Sequence, residues 1–322
     1  NTFLTYNSST GLRPLNLTDE FTNNAVTAGT NTYITTNTTG ASTASINSLV
    51  VQAANTSAPV LSLNSGVTLT VASGAILFTP TTTNSANTAT IQAASGTATL
   101  DFGSAEGIVT VQNPTSSNTT TGTISTVVTG SGGLSKFGAG TLALTNAANT
   151  YTGGTTINNG IISVTTLANG GSNSGIGASS NAATNLVLTG GGLTYTGAAA
   201  STDRLFSVGL AGGSILSTGT GGITFTNTGA MGFNGESGAR ILTLGGTGAF
   251  TNTLAALIGD NGGATSVLKT NTGSTWALTN ANTYTGATQI LGDTNNSSGT
   301  LTISSIANGG VVSNIGASTS DA

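Results

Sequence analysis

Only 4% of the residues are Asp, Glu, Lys or Arg, against about 25% in an ordinary soluble domain, and this scarcity decides which folds are open to the chain. A soluble sheet normally guards its outer face and its edges with Lys, Glu and Asp. Here five basic and nine acidic residues are all that 322 positions offer, and Thr, Asn, Ser and 48 Gly take the remaining polar places. Disorder does not follow, because a disordered chain combines high net charge with low hydrophobicity, whereas this one has a net charge of -4 and is 36% apolar. A helical membrane span does not follow either. The apolar runs are short, as in Ala75-Ile76-Leu77-Phe78, and fall far below the roughly 18 consecutive residues a span needs.

Glycine recurs too often to leave a window with helical periodicity. Strand signals are short and numerous: Ser48 to Val51, Val60 to Leu63, Val67 to Val71, Ile108 to Val111, Thr141 to Leu144, Leu186 to Leu188, Ile223 to Phe225 and Leu301 to Ile303. Each is bounded by Gly, Asn, Ser or Thr, the residues that make turns. Alternation such as Leu61/Leu63 and Leu142/Leu144 turns one face inward. An uncharged outer face is a liability in a sandwich but an asset in a stack of parallel coils. There, Thr lies over Thr and Asn over Asn in hydrogen-bonded ladders, while like charges about 4.8 Å apart would repel. The reading is therefore all-β, a parallel β-helix (β-solenoid) with rungs of roughly 20 to 25 residues. Leu142, Leu144, Trp276 and Leu278 are expected to point into its interior.

The chain repeats itself. Leu134 to Gly153 read LSKFGAGTLALTNAANTYTG, and Leu268 to Gly286 read LKTNTGSTWALTNANTYTG, one residue shorter. After a variable stretch the match resumes, Leu167-Ala168-Asn169-Gly170-Gly171 and Ile176-Gly177-Ala178-Ser179 against Ile306-Ala307-Asn308-Gly309-Gly310 and Ile315-Gly316-Ala317-Ser318, with the same internal spacing of 9. The offset between copies drifts from 134 to 139, as a solenoid allows when insertions fall between rungs.

Gly133 to Gly160, GLSKFGAGTLALTNAANTYTGGTTINNG, resembles the passenger-associated transport repeat, also called the autotransporter-associated β-strand repeat. The family pattern is approximately GxLxKxGxGTLxLxxxNTYTGGTTIxxG. Val267 to Ile290 follow it less strictly, with Lys269 displaced by one residue, Ser274 where Gly is usual and Trp276 in place of Leu142. The resemblance implies a right-handed parallel β-helical passenger exported across the outer membrane. Such a passenger lies on the outer-membrane surface of a Gram-negative-type bacterium or outside the cell, and acts as a non-enzymatic structural or adhesive segment. In some members the repeat is thought to aid folding during export.

The expected layout is an irregular set of N-terminal rungs or a cap over 1–36, then a continuous parallel β-helix over 37–322 with repeat cores at 133–160 and 267–290. No basic region followed by an apolar stretch opens the chain, and no alternating barrel strands follow Ala322. The second repeat stops shortly after Ser318, whereas the first runs on into Leu186-Val187-Leu188. The sequence therefore reads as part of a longer protein or as the unit of a polymer. The expected partners are further repeats or copies stacked end to end, and host or matrix glycans. Nucleic acid and membrane insertion are not expected, since the five basic residues are dispersed.

Chemistry has little to work with. There is no His and no Cys, which removes imidazole-activated nucleophiles, thiol chemistry and imidazole metal sites. Carboxylate enzymes built on β-helices leave Asp101 with Glu106, Asp19 with Glu20, and Asp203 with Arg204 to weigh; all read as solvated turn or rung-edge residues. Gly259-Asp260-Asn261-Gly262-Gly263 carries one carboxylate, too few for calcium, and reads as a turn. Gly130-Ser131-Gly132-Gly133 lacks the Lys-Ser/Thr and the helix of a phosphate loop. The tyrosines of Asn149 to Gly153 and Asn282 to Gly286 read as packed or stacked rings rather than sugar platforms, and Trp276 as core. The sequons at Asn7 and Asn37 are expected by chance in so much Asn and Thr. No catalytic, metal-binding or cofactor-binding residue and no cofactor is expected. The rival readings are a subunit of an extracellular filament and a β-helical enzyme acting on polysaccharide.

Overall fold

The computed structural model describes residues 2–7, 11–54, 58–81, 87–115, 118–270, 273–291 and 299–319. Among them the protein is β-structure joined by turns, with one 3-10 turn at Ala183–Asn185. Leu4–Asn7 pairs antiparallel with Gly11–Pro14. The longer ladders are parallel, the arrangement of a parallel β-helix. All eight stretches read as strands from the sequence lie on observed strands. Contacts divide the chain into two units, one of 1–146 with 150–153 and the other of 147–149 with 154–322.

In the first unit four successive coils each pass through three parallel sheets. One coil, for example, supplies Ala75–Pro80, Asn87–Ala93 and Thr99–Asp101, and the next supplies Gly107–Val111, Thr120–Ile124 and Val127–Thr129. Alternation sorts the side chains. Leu61, Ile91, Ile124 and Leu144 are successive register partners and all are fully buried, an aliphatic column with one residue per coil. One residue earlier on neighbouring strands, Thr90 lies beside Thr123 on the outward parity. The column also corrects the expected rung length, because its members stand 30, 33 and 20 residues apart. Only the strands are fixed by stacking, and the corner loops vary in length.

The stretch expected to form irregular rungs or a cap, 1–36, holds the antiparallel pair and the short strands Phe21–Asn23 and Asn31–Ile34. Asn31–Ile34 already lies parallel to Ser48–Ala53. Val50 and Leu77 are buried with Phe21, against which Phe3, Leu15, Leu17 and Tyr33 pack. The segment before residue 21 thus covers an apolar patch on the sheet that alternation alone would place outside.

In the second unit, Gly160–Val164, Gly191–Tyr195, Gly213–Ser217, Gly238–Gly245 and Gly262–Lys269 form one parallel ladder. Ala200–Thr202, Ile223–Phe225, Thr251–Leu254, Thr275–Leu278 and Thr300–Ile303 form another. Thr251, Thr275 and Thr300 stack as a threonine ladder. Inside, Phe206 meets Phe225 edge to face at 6.0 Å, and the Trp276 indole donates to the Gly245 carbonyl at 3.0 Å. Leu142, Leu144, Trp276 and Leu278 are all interior, none more than 1% exposed. The Leu142 position needs no large ring of its own. Its register partner is Gly122, where a Cβ would stand 2.5 Å from the Phe78 ring, so Phe78 already fills that space.

Candidate functional site

The seven acidic residues within the described chain are Asp19, Glu20, Asp101, Glu106, Asp203, Glu236 and Asp260, and every one accepts a hydrogen bond from the protein itself. Asp101 sits in register between Thr70 and Thr129. It accepts from the Thr129 hydroxyl at 2.7 Å and the Thr70 hydroxyl at 3.4 Å, a ladder with a carboxylate as its middle rung. Glu106 is engaged separately, by the Ser135 hydroxyl one coil on. Arg13 forks onto Glu20 at 2.7 and 2.8 Å, and the Asn16 amide adds a third bond, which holds the Glu20 carboxyl at about 2. Asp19 accepts from the Asn16 side chain, and Glu236 from the Leu210 amide. Asp260 accepts from the amides of Thr265 and Thr285 and from the Thr285 hydroxyl; its stretch is a turn stitched to the next coil. Among the described residues no three His, Cys, Asp or Glu come together as metal ligands would.

Four of the five basic residues are buried: Lys136, Arg204, Arg240 and Lys269, none more than 3% exposed. This corrects the reading of Arg204 as a solvated turn residue. Arg204 is held by carbonyls of the 168–179 loop, whereas for the two lysines the cause lies in strand parity. Lys136 stands two residues after Leu134 and Lys269 two after Val267, so each shares the inward face. Backbone carbonyls receive their ammonium groups, those of Phe137 and Gly138 for Lys136 and that of Thr270 for Lys269. Burial still disfavours the charged form and lowers Lys136 to about 7. Arg240 donates to the carbonyls of Val208, Glu236 and Gly238 and lies 4.8 Å from the Phe233 ring.

Each repeat closes on itself through the later motif that the sequence showed repeating with it. Asn149 and Asn282, at the head of the two Asn-Thr-Tyr-Thr-Gly turns, reach the carbonyls of Gly175 and Asn314. Thr155 and Thr288 donate to Ile176 and Ile315, both at 3.3 Å. The turn tyrosines, Tyr151 and Tyr284, are fully buried, so neither offers a stacking platform. Gly130 to Gly133 form a turn and strand entry pinned by the carbonyl of Gly103 to the Ser131 amide. Asn7 and Asn37 begin sequons of which the first runs outside the described residues.

What remains open to a partner is the outer surface. In the second unit a shallow groove is floored by Gly160, Gly191, Gly192 and Gly213 and edged by Ile161 and Ile241. Ile241 is about half exposed, as is nearby Leu210. No charged side chain lines this groove. Sequence reasoning missed it because its apolar edge comes from residues 80 positions apart. It also missed the burial of the cations, for which the parity of Leu134 and Lys136 was the available signal.

Comparison with known proteins agrees with this architecture. A family model described as the passenger-associated-transport-repeat matches residues 134–164 and 268–292. Over 197 residues, 61% of its length, the chain is 45% identical to a protein named Adhesin BmaC autotransporter from Brucella suis biovar 1 (strain 1330). The chain spans a small part of that relative, the match covering 6% of its length. No solved structure matches.

Proposed function

We propose that this chain, a stretch of autotransporter passenger built on transport repeats, is a non-enzymatic adhesive segment held outside a Gram-negative cell. The observation that carries this reading is the state of its polar groups. Among the described residues, the carboxylates that a hydrolase or lyase would need free to face a substrate are each engaged by hydroxyls, amides or a guanidinium of the same fold. General acid and base work requires a carboxyl within reach of a substrate proton. Here five of them, Asp101, Glu106, Asp203, Glu236 and Asp260, tie coil to coil, and Asp19 and Glu20 hold the turn that carries them. The adhesin name of the relative supports the same direction.

Contact with a host or matrix surface would then be made by uncharged hydroxyl and amide rows and by the glycine-floored groove. Such a surface suits neutral glycans, whose ring faces pack on exposed apolar edges such as Ile241 while their hydroxyls meet Thr and Ser. Beads coated with the purified chain test this against panels of neutral and acidic glycans. Binding to neutral glycans should persist when salt rises from about 0.1 to about 1 M, since screening acts on charge, and Ile241→Asp should weaken it. Release of shortened or unsaturated oligosaccharides from any polysaccharide, or adhesion lost in high salt, would count against the proposal.

A further inference from the structure

The two copies of the loop that follows the repeat have the same backbone but different surroundings. Gly171 bonds to Ser179 and Gly310 to Ser318; Ser172 bonds to Asn169 and Val311 to Asn308; Gly177 bonds to Ser174 and Gly316 to Ser313. The left-handed glycines agree as well, φ +81 and +74 in residues 171 and 177 against +80 and +81 in 310 and 316. Over the first loop lies Thr202-Asp203-Arg204 of the next coil. The Arg204 guanidinium donates to the carbonyls of Ala168, Asn169, Ser172, Gly177 and Ser179 and to the Ser179 hydroxyl. Thr202 donates to Ala168, while Asp203 accepts from Gly170 and donates its amide to Asn169. Under this cover Leu167 is 2% exposed.

The second loop presents the corresponding carbonyls, those of Ala307, Asn308, Val311, Gly316 and Ser318. Among the described residues no side chain lies over it in the manner of Arg204. The carbonyls of Ala307 and Val311 accept no bond there, and Ile306, at the position of Leu167, is 74% exposed. A ring of carbonyls with no carboxylate among them favours the ligand with the most donors in one plane. A guanidinium offers five in a rigid fork, whereas an ammonium offers three on a point.

We infer that the 306–318 loop is a receptor for an arginine presented on an extended Thr-Asp-Arg segment of a further coil of the same kind. The coupling would be specific: the arginine fills the carbonyl ring, the aspartate takes the Gly309 amide, and the threonine takes Ala307. This rests on the likeness of the two loops and is independent of any adhesive role.

The test adds a synthetic peptide with the sequence of Ala200 to Val208, ASTDRLFSV, to the 322-residue chain and follows amide hydrogen exchange. Exchange at Gly310, Val311 and Gly316 should slow about tenfold or more with saturation, and the R204K form of the peptide should leave it unchanged. No slowing at millimolar peptide, or equal slowing by the R204K peptide, overturns the inference. In the chain itself, Arg204→Lys should speed exchange at Gly171, Ser172 and Gly177 about tenfold while Ile91 and Ile124 keep their protection. Unchanged exchange in the first loop would also overturn it. Should that variant fail to fold, the peptide arm on the unaltered chain decides alone.

Discussion

Replacing Ile124 by Ala removes three buried carbons from the middle of the aliphatic column in the first unit. Ile124 is fully buried, and so are its partners Ile91 and Leu144 on the neighbouring coils. At about 0.8 kcal/mol per buried methylene-sized group, transfer alone gives about 2.4 kcal/mol. The cavity adds to this, because coils pinned on both sides by ladder hydrogen bonds cannot collapse into the gap; the expected total is about 2 to 5 kcal/mol. The adjacent Thr123, which points outward between Thr90 and Ala143, provides the comparison, and Thr123→Ala should change stability by less than about 0.5 kcal/mol. Denaturant unfolding gives the difference between the two variants. Hydrogen exchange shows where the loss falls, which should be the coils of Ile91, Ile124 and Leu144, since solenoid rungs contact only their neighbours. A cost below about 1 kcal/mol for Ile124→Ala, or equal costs for both variants, would refute the parity and the column together.

Other consequences can be read at the same bench. Lys136 is held at about 7 in the folded chain against 10.5 for the free side chain. The unfolded chain therefore binds more protons between those values, and stability should rise as pH goes from about 7 to 10.5; urea midpoints at both ends should show the rise, and Lys136→Met should reduce it, leaving the part due to Lys269, which burial also lowers. Glu20, held at about 2 against 4.5, contributes above its unfolded value, and that contribution is lost as pH falls from 4.5 through about 2; the Arg13 to Glu20 turn should gain exchange in that window, and Glu20→Gln should abolish the dependence. Melting curves with and without EDTA should coincide, and a chelator-induced drop of many degrees would reveal a metal on which the fold depends.

The sequence carried the fold because a parallel stack writes its rules locally. Leu61 and Leu63 or Leu142 and Leu144 declare an inward parity, and the scarcity of charge declares that outward positions lie over their own kind. It was less informative where side chains answer to residues far along the chain. Arg204 looks like a surface residue until the 168–179 loop folds back and aims its carbonyls at it, which no local pattern announces. Lys136 follows the parity of Leu134, but its polar head is tolerated inside only because the turn at Phe137 and Gly138 offers carbonyls there. Coil length was illegible for a related reason: corner loops leave the stacking register intact whether they hold few residues or many. The carboxylates read as solvated turn or rung-edge residues, not as rungs of ladders, since Asp101 meets Thr70 and Thr129 only after three coils are in place.

Disulfide trapping between coils tests the parallel, in-register stack most directly, because the chain has no cysteine of its own. Thr90 and Thr123 are register partners on the outward parity, so their Cα atoms stand about 4.8 Å apart, within the roughly 4.4 to 6.8 Å that a disulfide spans. Thr121 shares the strand and the parity of Thr123 but lies two residues away, about 8 Å from Thr90. Under mild oxidation the Thr90→Cys/Thr123→Cys chain should form an intramolecular disulfide in high yield, and the Thr90→Cys/Thr121→Cys chain should stay reduced. Bridging of the second pair in preference to the first, or equal bridging of both, would contradict the stack.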